Sequence, residues 1–325
     1  MKEITASNTV ASGKQTAGRR VLVFMLCLSF LIAGAYYFAI TKNSAWSSLL
    51  VMWSPGLAAI CASVFTRRSW REIGWRPGPV KFLAAGWCIP IGCASLTYGI
   101  VWLTGLGSMP SPLFLERAAL TLNLHDRPAA EVVLRAFVYL STMGLLNIGA
   151  LGEELGWRGF LVPELNRWAG FRRAGIISGA IWALWHWPLV IWGGYHSDTP
   201  LPYALSCLTI MTMSAGVVAA WLRLKSGSIW PCFVMHAVHN AMIQKFFDRV
   251  TINSGHTTYF TTEFGAGLAL FYLLIAAFLM AVSSSQFPRD NSASLRGAGR
   301  GQTQRGTEPS WPIPRTSATE TLKTR

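Results

Sequence analysis

About eight apolar runs, each near the length that crosses a bilayer, constrain this 325-residue chain more than any other feature. A bilayer core takes roughly twenty apolar residues as helix. Runs of that kind lie near 21–40, 46–65, 80–104, 131–152, 173–192, 203–222, 229–247 and 264–284. Hydrocarbon offers no water to backbone N–H and C=O groups, so only helices and closed barrels cross it. Runs this long read as helix, and the expected fold is an all-α polytopic transmembrane bundle of about eight spans. Charged residues make up 13% of the chain, where a soluble domain carries about 25%. The 15 tryptophans suit the membrane–water interface. Span two contains Ser54-Pro55-Gly56, and a proline there frees backbone groups that need partners.

Charge sets the expected orientation. Lys and Arg number 28 against 14 Asp and Glu. In a soluble protein such an excess would point to nucleic acid, but here the basic residues fall in tails and short loops. Residues 1–20, 66–79, 153–173, 223–228 and the segment after 284 carry most of them. The alternate loops, 41–45, 105–130, 193–202 and 248–263, are poorer. The positive-inside rule then puts both termini in the cytoplasm, with the lipid bilayer and not nucleic acid as partner. Ala33-Gly34-Ala35 resembles a signal-peptide cleavage site, but the apolar run continues past it. The expected organisation is a cytoplasmic N-terminal tail at 1–20, a transmembrane domain at 21–284 and a disordered basic tail at 285–325. That tail has no C-terminal Cys-a-a-X sequence. The 6 cysteines lie in apolar segments without a C-x-x-C pair and read as small buried hydrophobes.

Ionisable residues inside spans are rare and usually functional. Three clusters qualify: Glu153, Glu154 and Arg158; His186, with Trp182 one turn before it; and His236, His239 and Asn240. Glu154 and Arg158 are spaced i,i+4 and can pair on one helix face. Glu153 points about 100° away, which leaves it free. One carboxylate is thus structural, and the other can serve as a base raised by desolvation. Gly156 and Gly159 would let another helix pack closely. His236 and Asn240 share a face, and His239 can lean towards it. Each cluster has a plain reading: a charged helix end, a satisfied core histidine, or interhelical hydrogen bonding. Together they supply what a membrane-buried hydrolase needs: a base, a partner that orients water, and oxyanion donors. A proton-coupled transporter and a non-catalytic immunity or binding factor are the rival classes.

The order of these clusters resembles the CAAX protease and bacteriocin-processing (CPBP, or Abi) family of intramembrane proteases. Its E-E-x-x-x-R motif reads Glu153 to Arg158. Its aromatic-x-x-x-His motif reads Trp182 to His186, with Trp in place of the usual Phe. Its H-x-x-x-N/D motif reads His236 to Asn240. The resemblance covers about 130–245. It implies Glu153 as general base, His186 holding the water with it, His236 and Asn240 as oxyanion donors, and Glu154 and Arg158 in support. The implied activity is endoproteolysis, type II CAAX prenyl endopeptidase-like, of a membrane-associated peptide or protein. The active site is expected within the membrane near the cytoplasmic side of a prokaryotic inner membrane. The family is often labelled metalloprotease. Zn2+ is therefore an optional cofactor: Glu153, His186 and His236 could be three ligands if a metal binds, but Asn240 is a poor zinc ligand and a good oxyanion donor.

Overall fold

Backbone satisfaction in hydrocarbon makes the chain helical almost throughout. A computed structural model describes residues 2–42 and 44–283; the tail expected at 285–325 lies outside them. In chain order the helices are α1 (Lys2–Lys42), α2 (Ala45–Phe65), α3 (Val80–Leu103), α4 (Pro112–Leu122), α5 (Ala129–Met143), α6 (Ile148–Glu154), α7 (Val162–Ala169), α8 (Phe171–Trp192), α9 (Leu201–Ser226), α10 (Trp230–His239), α11 (Asp248–Val250) and α12 (Ala266–Val282). Two π-helical stretches, Leu155–Leu161 and Asn240–Phe247, join α6 to α7 and α10 to α11. Two residue pairs form an antiparallel β-bridge, Gly107–Ser108 (β1) with Ile252–Asn253 (β2).

Six described helices are long and apolar enough to span a membrane: 12–42, 46–65, 80–103, 129–146, 171–192 and 201–226. The other two expected spans are helical as well. The seventh is interrupted by the polar residues of the site. The eighth, α12, has 17 residues and reaches about 25 Å at 1.5 Å per residue, short of the roughly 30 Å core. The run read as one span over 131–152 is two helices. A 3-10 turn at Gly144–Leu146 ends the first, and the Asn147 side chain caps the second by accepting from Ala150 N at 3.1 Å. The outer faces carry exposed apolar side chains such as Phe30 and Leu103, as lipid contact requires.

Small residues set how closely the helices cross. A Cβ on Gly216 would lie 2.6 Å from Gly179 Cα, and one on Gly56 would lie 2.6 Å from Gly152 O. These are the α8–α9 and α2–α6 crossings, where glycine lets two backbones meet. Gly156 packs on Pro55 in the same way. The carbonyl that Pro55 deprives of its helical donor belongs to Val51, and the Ser54 hydroxyl donates to it at 2.7 Å.

The segment 153–173, read as a basic loop, is helical and mostly buried, and Pro163 explains its form. Proline has no N–H, so the carbonyl of Gly159 four residues earlier loses its donor. Val162 N bonds back to Trp157 O in a π turn, which also frees the carbonyl of Arg158. Arginines from neighbouring segments fill both places: Arg68 Nη2 donates to Gly159 O at 3.0 Å, and Arg223 Nε donates to Arg158 O at 3.0 Å. Arg68 also pairs through Nε with the buried Glu164 at 2.7 Å, and Arg167 reaches Glu164 at 2.5 Å and Glu72 at 2.7 Å. Burial works against the Glu72 carboxylate, yet Arg167 and Arg68 hold it below the usual range. Arg20 of α1 joins at 3.4 Å from Glu164, so the expected N-terminal tail is in part a helix docked on this network.

Removing one partner of a buried ion pair costs about 3–5 kcal/mol, whereas an exposed pair is worth about 0–1 kcal/mol. Arg68→Ala is therefore expected to lower the detergent unfolding midpoint sharply. Arg127→Ala, which loses only an exposed 4.0 Å pair with Glu131, should leave the midpoint nearly unchanged. Similar midpoints for the two variants would contradict this role for the arginine network.

Candidate active site

Glu154 is fully buried, and two cationic or N–H groups meet one of its oxygens. Arg158 Nη1 lies 2.7 Å from Oε1, one helical turn on, and His236 Nδ1 lies 2.9 Å from the same atom. A carboxylate only accepts, so Nδ1 of His236 carries the proton. Its Nε2 then faces Glu153 Oε1 at 3.9 Å, too far for a direct hydrogen bond.

Glu153 points away from Arg158, as its place on the helix requires. Its Oε2 accepts from Trp182 Nε1 at 2.8 Å. The Trp182 ring is itself held, with the Arg158 guanidinium 4.2 Å from its centroid and the His236 ring edge-on at 5.3 Å. The aromatic of the second motif thus orients the free carboxylate. His186 is fixed through Nδ1, which donates to Trp182 O at 2.9 Å. A backbone carbonyl cannot donate, so the neutral ring keeps its lone pair on Nε2. Trp185 packs edge-on against it at 4.8 Å.

One cavity of about 420 Å³ joins these groups: Glu153, His186, His236 and Asn240 all line it. Three clusters far apart in sequence are therefore adjacent in space. Burial is 2% exposure for Glu153 and 1% for Arg158, and Glu154 and Arg158 lie behind the wall and not in it. Glu153, His186 and His236, the expected ligands if a metal binds, all line this cavity. Among the described residues no group of three His, Cys, Asp or Glu is placed to hold a metal ion. His186 and His236 are each hydrogen-bonded through Nδ1 and Glu153 through Oε2, which leaves one nitrogen or oxygen of each without such a bond.

The same cavity contains a cluster that the sequence reading did not assign. His239 Nε2 lies 2.8 Å from Glu263 Oε1, and its Nδ1 lies 3.0 Å from Tyr272 Oη. Gln244 Nε2 donates to Glu263 Oε1 at 3.0 Å, and Tyr195 donates its phenolic proton to Oε2. Burial raises the Glu263 carboxyl, but His239, Tyr195 and Gln244 outweigh it and hold the group down at about 2. Tyr195 also stacks on His186 at 6.3 Å. Glu263 had a sequence signal: it is an acid beside the last apolar run, the same oddity that singled out Glu153. Tyr195 had none.

Comparison with known proteins covers the region that holds these motifs. Residues 134–242 match the family described as type II CAAX prenyl endopeptidase Rce1-like. A CAAX prenyl protease 2 from Methanococcus maripaludis is 31% identical over 108 residues, which cover 31% of this chain and 39% of that protein. The chain therefore aligns with well under half of its relative's length. All three motifs fall inside the family match, whereas Glu263 and Tyr272 lie beyond it.

Replacing Glu154 removes the charge that both Arg158 and His236 face. Glu154→Gln is expected to cost about 3–5 kcal/mol and to lower accumulation. Glu153→Gln keeps an acceptor oxygen for Trp182 and should accumulate normally. Equal yields and unfolding midpoints for the two would overturn this division of labour.

Proposed function

We propose that this chain, whose residues 134–242 match the Rce1-like family, is an intramembrane endopeptidase in which Glu153 activates the attacking water. The observation that carries the reading is the pairing of the two glutamates. Glu154 is committed to Arg158 and His236, while Glu153 is buried, unpaired by any arginine, and opens on a cavity shared with His186 and Asn240.

In this reading Glu153 Oε1 takes a proton from water, and His186 Nε2 accepts the second water hydrogen and so aims the oxygen. Attack on the scissile carbonyl forms a tetrahedral oxyanion. Asn240 supplies an amide N–H, and His236 supplies Nε2–H when its ring is doubly protonated, with Glu154 as counter-charge. Glu153 then returns the proton to the leaving amine, as microscopic reversibility requires. A bound metal would polarise the carbonyl or the water; the steps above need only this chain's own groups. The substrate is a membrane-associated peptide or protein, and the protein acts in a prokaryotic inner membrane with both termini cytoplasmic.

Glu153→Gln is expected to reduce cleavage by about 10²–10⁴-fold, the usual worth of a general base, with the protein still folded and inserted. Comparing membrane peptidomes of cells with the wild type and the variant finds the substrate and reads the loss together. Full cleavage by the variant would remove Glu153 from the mechanism.

Purified protein is expected to keep its activity after thorough chelation, with zinc far below one per chain by elemental analysis. Stoichiometric zinc, lost together with activity on chelation and restored by adding it back, would instead make His236 a ligand and Glu153 either a ligand or the base beside the metal-bound water.

A further inference from the structure

The cavity has two unlike ends. At its inner end Glu153, His186 and His236 meet, and behind them lies the arginine network. That end is closed. Ile73, Leu155 and Ile229 pack together beside the π stretch, Ile229 N donates to Gly74 O at 3.0 Å, and Arg68 and Arg223 donate to the carbonyls of Gly159 and Arg158. No residue of 66–79, 170 or 227–229 lines the cavity.

The other end is different. There the lining comes from Ala39 and Ser48, which flank the α1–α2 turn, and from Gly194, Tyr195 and Glu263 in the loops after α8 and before α12. A second, shallower cavity of about 340 Å³ shares Gly194, Tyr195, Gln244 and Glu263 with the first. It continues past His196, Ser197 and Arg249 to the loop surface. The two cavities abut at these four residues, so only the hydrogen-bonded Tyr195, Gln244 and Glu263 side chains separate the carboxylate's cavity from that surface.

Charge distinguishes the two faces of the bundle. The closed end carries Arg67, Arg68, Arg71 and Arg76 in one loop, Arg172 and Arg173 at the start of α8, and Arg223 and Lys225 at the end of α9. The loops at the open end, 193–202 and 248–263, contain Arg249 as their one basic Lys or Arg residue. Basic loops stay in the cytoplasm.

We propose that the site takes its water and its substrate from the extracytoplasmic side, through the passage between the 193–200 and 251–265 loops. Arg158 lies beside the last turn of α9, at the arginine-rich end of the bundle, and in this proposal the site's opening faces the other way. The substrate class follows, and this half of the inference rests on the peptidase reading. It is a membrane-anchored or translocated peptide whose scissile segment is exposed at the outer half of the bilayer. A C-terminus presented from the cytoplasm would meet the closed end.

Thiol accessibility tests the passage without needing a substrate. Ser197→Cys reports the mouth, Gln244→Cys and the near-isosteric Thr212→Cys report the interior, and Arg76→Cys reports the basic face. Each is read above the labelling of the unsubstituted chain. A membrane-impermeant thiol reagent added to intact cells is expected to modify the mouth and at least one interior thiol, and to leave Arg76→Cys unmodified. Inverted vesicles should give the reverse. Interior thiols that react only in inverted vesicles, together with Arg76→Cys, would overturn the proposal. So would interior thiols that react from neither side while Ser197→Cys reacts from outside. The same pattern in the Glu153→Gln background separates access from catalysis, because labelling there stands even if the peptidase reading fails.

Discussion

One buried carboxylate oxygen, Oε1 of Glu154, organises the site. Arg158 and His236 both converge on it, from 2.7 and 2.9 Å. It thereby ties the α6–π segment to α10, two pieces of chain more than eighty residues apart. The consequences run outward from that atom. Arg158, held by Glu154, lies against the Trp182 ring. Trp182, so held, directs its indole N–H to Glu153. His236, fixed through Nδ1, presents Nε2 to the same carboxylate. A buried charge is tolerated when it is paired and hydrogen-bonded, and here the compensation given to one glutamate is what positions its neighbour.

The arginines at the basic end belong to the same logic. Pro163 forbids a regular helix, a π turn results, and two carbonyls are left without helical donors. In hydrocarbon such groups cost several kcal/mol each. Arg68 and Arg223 supply the missing donors from other elements, and Glu164 and Glu72 neutralise the cluster. The proline is therefore a fixture of the site: it draws in the cations that close the bundle behind Glu154.

Much of this was legible in the sequence, and the limits are physical. The apolar runs fixed the fold class because bilayer thickness sets helix length, and the i,i+4 spacing of Glu154 and Arg158 fixed their pairing because helix geometry is local. The break at Asn147 was missed: Gly144 and Asn147 sit in a run whose hydropathy alone reads as continuous. Past Arg158 the segment to 173 reads as a basic loop because its charges count the same whether they face water or one another. Arg68 and Arg223 do two jobs, as topology signals in the sequence and as backbone donors in the fold, and only the first is visible without coordinates. The Glu263, His239, Tyr195 and Gln244 cluster draws on three separate segments, and no spacing rule links a loop tyrosine to a glutamate sixty-eight residues later.

The ionic network also explains why the cavity is one-sided. The face richest in arginine is the face where Arg68, Arg167 and Arg223 turn inward, onto carbonyls and carboxylates, with Ile73, Leu155 and Ile229 packed together beside them. A water-filled opening there would compete for those same donors and leave the carbonyls of Arg158 and Gly159 and the Glu164 carboxylate less well satisfied. At the opposite face Glu263 is satisfied entirely by His239, Tyr195 and Gln244, within hydrogen-bonding distance of the cavity wall, and needs no arginine. That end can therefore be wet without loosening the pairing around Glu154. The placement of charge, more than the placement of apolar surface, decides which end of the bundle can open.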